Sequence, residues 1–310
     1  MSLLNISVDL DPISCYHRIH ALEPWEGPDP IYQAALERLL ELFARFGIKA
    51  TFFVVGMQAE EGAPLLRAAL AAGHELANHS FSHPYSLSKL SVDQRIAELR
   101  QTQEALQEHC GVRPVGFRAP GYNISADILE LLERAGMRYD ASIFPCLPYY
   151  LAKSAVMLGG ALRGRPSGSA WVDPRTLLAP LRPYRPSREA IYRPARAEED
   201  AFSLLEIPIA VLPLLRWPVI GTSLIVAGPK LAAWTAAAAR RAHPTALNIE
   251  LHGIDLVDAE RDQLSPQLRA KQPDLRFPLS HKLAVFEGVF ERLREHYEFV
   301  TCAEMAERLG

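Results

Sequence analysis

The stretch Asn5-Ile6-Ser7-Val8-Asp9-Leu10-Asp11 decides the fold class of this 310-residue chain. Polar and apolar residues alternate along it, which is the pattern of a β-strand with one polar face. In a barrel, such a strand directs Ile6 and Val8 outward against helices and places Asp9 and Asp11 inside, at its C-terminal end. Barrel enzymes hold their chemical groups at that end. Taken alone, the two aspartates are better explained as turn or helix-capping carboxylates.

Strands and helices alternate through most of the remaining chain. Strands are predicted at 50–55, 115–118, 137–143, 204–211, 246–252 and 298–301, and a turn with a short strand is predicted at 73–78. Helices are predicted at 31–46, 63–72, 91–109, 125–135, 229–242 and 279–297, and from 303 onward. This alternation is typical of an α/β domain with a parallel sheet or barrel. We predict one domain, residues 4–309, with an irregular insertion at about 146–203.

The predicted insertion is rich in proline and strongly basic. Between Tyr149 and Arg196, nine basic residues face only Asp173 and Glu189, a local charge of about +7. Such a segment suits the anionic groups of a substrate or of a membrane surface. A solvated basic loop packed on the domain explains it equally well. The basic residues are Lys153, Arg163, Arg165, Arg175, Arg182, Arg185, Arg188, Arg193 and Arg196.

Composition narrows the choice of partners and compartment. The net charge of -3 argues against nucleic acid as the main partner. Four cysteines lie far apart without a C-x-x-C pair, which suits a reducing compartment and gives no thiolate zinc site. Because residues 1–4 lead directly into the first strand, we expect no secretion signal. We therefore expect the protein in the cytoplasm, with peripheral contact to anionic lipid at the inner membrane face.

The segment His79-Ser80-Phe81-Ser82-His83 supplies two imidazoles at the end of a short predicted strand. Two imidazoles four residues apart can bind one metal ion. Pro84 follows directly and disfavours a long helix, so the pair is predicted on a single turn or loop. This spacing alone is a weak indication, and surface or capping roles account for most histidine pairs of this kind.

A second strand with one polar face ends at His252. Asn248, Glu250 and His252 share one side of residues 246–252, and apolar residues share the other. A lone histidine here would usually be a core residue with its hydrogen bonds satisfied. The repetition matters more, because separate strands each end in groups that can bind metal or transfer protons.

Five motifs resemble, in their order, those of the NodB-like polysaccharide deacetylases, carbohydrate esterase family 4, and cover about 4–145 and 204–309. The resemblance implies a distorted (β/α)7 barrel of NodB-homology type. Leu10 separates two aspartates that are adjacent in many members, as in a D-x-D subgroup that includes enzymes acting on lipid-linked sugars. The motifs are Asp9-Leu10-Asp11, His79-Ser80-Phe81-Ser82-His83, Phe117-Arg118-Ala119-Pro120-Gly121-Tyr122, Tyr139-Asp140-Ala141-Ser142-Ile143-Phe144-Pro145 and Glu250-Leu251-His252.

The resemblance implies that Asp11, His79 and His83 hold a divalent metal ion. Two imidazoles and one carboxylate leave open positions for water and substrate, which is the arrangement of a catalytic zinc site. We expect Zn²⁺, with Co²⁺, Ni²⁺ and Mn²⁺ as alternatives that the same ligands accept.

The resemblance also implies five catalytic positions. Asp9 would be the general base, Arg118 would orient that base, and His252 would be the general acid. Asp140 would lie near Arg118, and the backbone N–H of Gly121 would face the oxyanion. Gly121 stands where many members have an aromatic residue, which leaves the identity of the substrate open.

These residues predict a metal-dependent hydrolase of a non-peptide carbon–nitrogen bond. We expect it to remove an N-acetyl or N-formyl group from an amino sugar, with a lipid-linked or glycan precursor as the favoured substrate. A soluble small amide or imide is the alternative substrate. A catalytically inactive barrel that binds glycans is a second class, but a pure binding module needs neither Asp9 nor His252.

Overall fold

The structure is a computed structural model that describes residues 2–162, 173–197 and 199–310. Arg163 and Arg165 of the predicted basic insertion lie outside the described residues. The strands are β1 (Ser2–Leu10), β2 (Ala50–Val54), β3 (Glu75–Asn78), β4 (Gly116–Phe117), β5 (Tyr139–Asp140), β6 (Leu205–Glu206), β7 (Val211–Leu212), β8 (Trp217–Pro218), β9 (Ala246–His252) and β10 (Tyr297–Phe299). The helices are α1 (Ile13–Ile19), α2 (Leu36–Phe46), α3 (Ala59–Ala71), α4 (Val92–Cys110), α5 (Ala126–Arg134), α6 (Leu147–Leu162), α7 (Gly221–Ala242), α8 (Pro266–Lys271), α9 (Leu279–Arg294) and α10 (Cys302–Leu309).

Within the part of the chain that the structure describes, eight parallel strands form one curled sheet around β1. The order is β10-β1-β2-β3-β4-β5-β6, and β9 also pairs with β1. After β6 the chain returns toward β9, where the Ala210 N–H donates to the Asn248 carbonyl at 2.9 Å. This curled parallel sheet with its helices is the distorted (β/α)7 barrel predicted from the resemblance. The β7–β8 pair is a separate antiparallel hairpin.

The alternation in β1 separates the core from the interior of the barrel. Ile6 and Val8 are fully buried in the main apolar cluster with residues of α2 and α9, including Phe43 and Phe290. The opposite face carries buried polar residues, of which Asp9 is opposite both Phe53 and His252 in the strand register. The predicted division of the strand into an apolar outer face and a polar inner face is confirmed.

Helices α1 and α8 lie where loops were predicted, and α6 and α7 also differ from their predicted form. The start of the insertion, predicted to be irregular, is the helix α6, and its early Pro148 is compatible with a helix because the first turn needs no N–H donor. Helix α7 begins eight residues earlier than predicted, and Gly228, at φ 77° and ψ 168°, interrupts it before Pro229. Among the described helices, none is both long and apolar enough to cross a bilayer.

Candidate active site

The predicted metal ligands Asp11, His79 and His83 meet at the C-terminal ends of β1 and β3. Asp11 Oδ1 lies 3.1 Å from Nε2 of His79 and 3.1 Å from Nε2 of His83. All three residues are buried. Ser80 and His83 have left-handed backbone angles, φ 62° and 55°. The histidines therefore converge on a tight loop, not on a helical turn.

The chemistry of this donor set fits a metal cation. His79 Nδ1 lies 2.8 Å from the Arg118 carbonyl, which can only accept, so Nδ1 carries the proton and a neutral ring offers a lone pair at Nε2. Asp11 Oδ1 is buried and accepts no hydrogen bond from the described residues. Burial alone would raise the pKa of Asp11, but the His83 and His79 side chains hold it well below its ordinary value. Asp11, His79 and His83 could together hold one ion.

The buried Arg118 fixes the orientation of Asp9. Its Nη1 donates to Asp9 Oδ1 at 2.5 Å, Nη2 donates to Ser7 Oγ at 2.9 Å, and Nε donates to the Ala141 carbonyl at 2.8 Å. Burial would lower the pKa of Arg118, but the charges of Asp9 and Glu250 raise it, so the guanidinium stays charged. The second oxygen of Asp9 lies 3.7 Å from His79 Nε2, beside the candidate metal site.

His252 ends β9 on the same inner face. Its ring lies close to Asp9 and Glu250, because ligand atoms of the three side chains are all within 4.8 Å of one another. Burial lowers the pKa of His252, but Glu250, Asp9 and Asp11 outweigh it and raise the pKa to about 9. The imidazole is therefore protonated at neutral pH, as a general acid must be.

Glu250 is a site residue to which the sequence analysis gave no role. Its Oε2 accepts from the Tyr122 hydroxyl at 2.9 Å, and its Oε1 lies 3.4 Å from Arg118 Nη1. Burial and the charge of Asp9 raise its pKa to about 7. The alternation along β9 had already placed Glu250 beside His252, so that pattern could have identified it.

Asp140 is buried in β5, and the nearby charge of Arg118 lowers its pKa while burial raises it above the ordinary value. Its Oδ1 accepts from Ser142 Oγ at 2.6 Å. The carboxyl group of Glu206 lies next to that of Asp140. Burial and the charge of Asp140 raise the pKa of Glu206 well above its ordinary value. Among the described residues, Arg118 donates no hydrogen bond to Asp140, so any influence of Asp140 on the guanidinium is electrostatic.

Gly121 lies in the short turn Pro120–Tyr122 next to the site. Its φ of 61° is in the left-handed region, and a Cβ there would be 3.3 Å from the Tyr85 ring. Both constraints favour glycine and account for the missing aromatic residue. A hydrogen bond from the Ala119 N–H to Ser142 Oγ, 2.8 Å long, holds the residue before the turn in place.

Comparison with known sequences finds deacetylases to which part of this chain is similar. The profile of the polysaccharide deacetylase family matches residues 26–139. A peptidoglycan deacetylase-like protein of Gibberella zeae is 32% identical over 145 residues, which is 44% of this chain and 43% of the relative. A peptidoglycan deacetylase of Helicobacter pylori is 28% identical over 157 residues, which is 48% of this chain and 53% of the relative. The chain thus matches about half the length of these relatives.

Solved structures show the same fold. A protein of Mycobacterium smegmatis assigned to the polysaccharide deacetylases superposes with a TM-score of 0.61 at 19% identity, over 99% of this chain and 89% of its own. A family 4 pseudoenzyme of Bacillus anthracis superposes with a TM-score of 0.50 at 12% identity, over 98% and 65%. The profile match over residues 26–139, the partial matches to curated relatives and the barrel fold agree with the resemblance of this chain to the NodB-like polysaccharide deacetylases of carbohydrate esterase family 4.

Proposed function

We propose that the protein is a metal-dependent hydrolase that removes an N-acetyl or N-formyl group from an amino sugar. The observation that carries the proposal is the meeting of three components in one buried site. These are the acceptor cluster of Asp11, His79 and His83, the carboxylate of Asp9, and the protonated His252. A site built only to bind a glycan would need no such pairing of base and acid.

In this proposal Asp11, His79 and His83 hold a divalent ion, with Zn²⁺ as the expected metal. Such an ion, when bound, supplies a Lewis acid that polarises the amide carbonyl and lowers the pKa of a water molecule from about 15.7 toward about 7. The hydrogen bond from His79 Nδ1 to the Arg118 carbonyl fixes the ring so that Nε2 faces Asp11 and would be available to bind the ion.

Proton transfer is assigned to Asp9 and His252, which come from distant parts of the sequence. Asp9 takes a proton from the attacking water. Its Oδ2 is available for this role, because Arg118 donates to Oδ1 and Oδ2 lies beside the candidate metal ligand His79. His252 then gives its proton to the leaving amine nitrogen as the carbon–nitrogen bond breaks. Each such transfer is worth about 10²–10⁴ in rate. The backbone N–H of Gly121 is the proposed donor to the oxyanion.

Acetate release from N-acetylated chitooligosaccharides and peptidoglycan fragments tests this proposal. We expect zinc-loaded protein to release acetate from at least one of them. Asp9→Asn and His252→Ala should each lower kcat/KM by about 10²-fold or more. The exposed His296→Ala serves as the matched control, since His296 lies far from the site in sequence and is on the surface. Unchanged rates in Asp9→Asn or His252→Ala would show that the assigned roles are wrong.

We further propose that the sugar is a lipid-linked or glycan precursor, reached at the cytoplasmic membrane face. Support comes from apolar residues that are exposed on α6 and on the β7–β8 hairpin, two elements that pack together. Leu151 and Leu158 are exposed on α6, and Leu214 and Leu215 at the hairpin turn are 98% and 70% exposed. Such a patch suits an apolar surface.

The basic insertion contributes less charge to this surface than its sequence suggests. Arg175, Arg188, Arg193 and Arg196 each pair with a nearby carboxylate. We therefore expect the leucines, more than the arginines, to determine lipid contact.

Flotation with vesicles that contain anionic lipid tests the membrane part of the proposal separately. The protein should float with the vesicles at low salt, and a double variant Leu214→Asp and Leu215→Asp should not. If the unchanged protein fails to bind at low salt, the membrane part is wrong and a soluble amide or amino sugar becomes the better substrate.

A further inference from the structure

Lys153 is a partly buried cation at the edge of the site. Its Nζ lies 3.5 Å from the Gly121 carbonyl and 5.6 Å from the centre of the Tyr149 ring. Within the described residues, no carboxylate lies within ion-pair distance of it. Burial lowers the pKa of Lys153 to about 8. The carbonyl and the ring are weak substitutes for an anion.

Two short chains of contacts connect Lys153 to the site. In the first, the Gly121 backbone adjoins the Tyr85 ring, which packs edge-on against the metal-ligand candidate His83 at 4.7 Å between ring centres. In the second, the Tyr149 ring contacts Tyr122 at 5.2 Å between centres, and the Tyr122 hydroxyl donates to Glu250. Two intervening residues therefore separate the ammonium group from the metal-ligand candidate His83 on one path and from Glu250 on the other.

Lys153 also differs from several other cations of the same segment. Arg175, Arg188 and Arg193 are compensated by carboxylates of the protein itself. A cation that only needed to be soluble would extend into water, yet the Lys153 side chain folds back over Tyr149 toward the Gly121 turn. Desolvation of an uncompensated ammonium group is unfavourable, and an incoming anion would remove that cost.

We propose that Lys153 is the subsite for an anionic group on the substrate, next to the sugar whose N-acyl group lies between Asp9 and His252. The inference rests on the proposed function and specifies the substrate further. The shared chemistry is a sugar that carries a negative charge near its amide. A phosphate ester on the sugar supplies it, as does a carboxylate on an ether substituent.

Calorimetric binding to the full-length, zinc-loaded protein tests the subsite without requiring turnover. The probes are N-acetylglucosamine, its 1-phosphate and N-acetylmuramic acid, which are neutral, phosphate-bearing and carboxylate-bearing. At least one anionic sugar should bind about tenfold or more tightly than the neutral sugar. Lys153→Gln should weaken anionic binding at least ten times more than neutral binding. Lys153→Arg should retain the preference, as should Lys230→Gln at an exposed position on α7.

The two anionic probes distinguish the source of the charge, and a preference for either supports the subsite. Equal affinity of the unchanged protein for all three sugars would overturn it. Equal weakening of neutral and anionic binding in Lys153→Gln would also overturn it, since that result indicates a structural role. If anions bind through Lys153 but neither acetate nor formate is released from any N-acylated sugar, the subsite stands and the proposed function is wrong.

Discussion

Replacement of Glu250 by Gln removes a negative charge beside His252 and leaves the shape of the side chain almost unchanged. Glu250 is the first of the charges that raise the pKa of His252, against the opposing effect of burial. In the proposed mechanism His252 must carry a proton, so activity is present below its pKa and is lost as the pH rises through it. We expect Glu250→Gln to move the alkaline limb of the pH–rate profile to lower pH.

The structure gives the approximate size of this shift. Ligand atoms of Glu250 and His252 lie within 4.8 Å of each other. With an effective dielectric constant of about 20, two unit charges at this distance interact by about 3 kcal/mol. One pKa unit corresponds to about 1.4 kcal/mol, so removal of this charge is worth about two pH units. We expect one to two units, starting from a limb near the pKa of about 9.

The assay is kcat/KM for acetate release, measured from pH 6 to 10 with zinc-loaded protein, since kcat/KM reports groups of the free enzyme. Tyr122→Phe is the matched control. It removes the hydrogen bond to Glu250 Oε2 and keeps the carboxylate charge. The alkaline limb of Tyr122→Phe should stay close to that of the unchanged protein.

An alkaline limb that stays in place in a folded Glu250→Gln variant would refute this reasoning. In that case the limb would belong to another group, or His252 would not be the proton donor. An equal downward shift in Tyr122→Phe would show that the hydrogen bond, and not the charge, controls the limb.

The remaining predictions concern metal content and packing. His83→Ala should lower the amount of bound zinc at least tenfold after dialysis, measured by plasma mass spectrometry. The exposed control His296→Ala should keep its zinc. A full complement of zinc in His83→Ala would exclude His83 as a ligand. Gly116→Ala would place a Cβ 1.8 Å from the Tyr139 ring and should lower the free energy of unfolding in urea by about 1–3 kcal/mol. Gly288→Ala on α9 has nothing within 4 Å of its new Cβ and should raise that free energy by up to about 1 kcal/mol, so equal effects would contradict the packing.

Most of the barrel could be predicted from the sequence because its strands show strong periodicity. The strand β9 (Ala246–His252) was predicted with its observed bounds, and α4 begins after the Ser91 cap, where Gln94 completes a capping box. Helix α6 was missed because prolines and glycines within it and after it suggested irregular structure throughout. A local pattern cannot show that 16 consecutive residues inside such a segment form a helix.

The site was less accessible to sequence analysis, because the groups that surround a functional side chain come from distant parts of the chain. The motif residues Asp9, Arg118 and His252 could be named from their order in the sequence. The Tyr122–Glu250 hydrogen bond and the Asp140–Glu206 contact depend on how β4, β5, β6 and β9 curl together. The sequence could not predict either that, among the described residues, no carboxylate lies within ion-pair distance of Lys153. That property depends on the folded positions of carboxylates from distant parts of the chain.

Removal and return of the metal tests the central claim most directly. The full-length protein would be stripped with a chelator and assayed for acetate release from an N-acetylated sugar, with and without one equivalent of Zn²⁺. We predict loss of release on stripping, recovery with zinc in the unchanged protein, and no recovery in Asp9→Asn that has bound the same amount of zinc. Acetate release that persists in fully stripped protein would contradict the account.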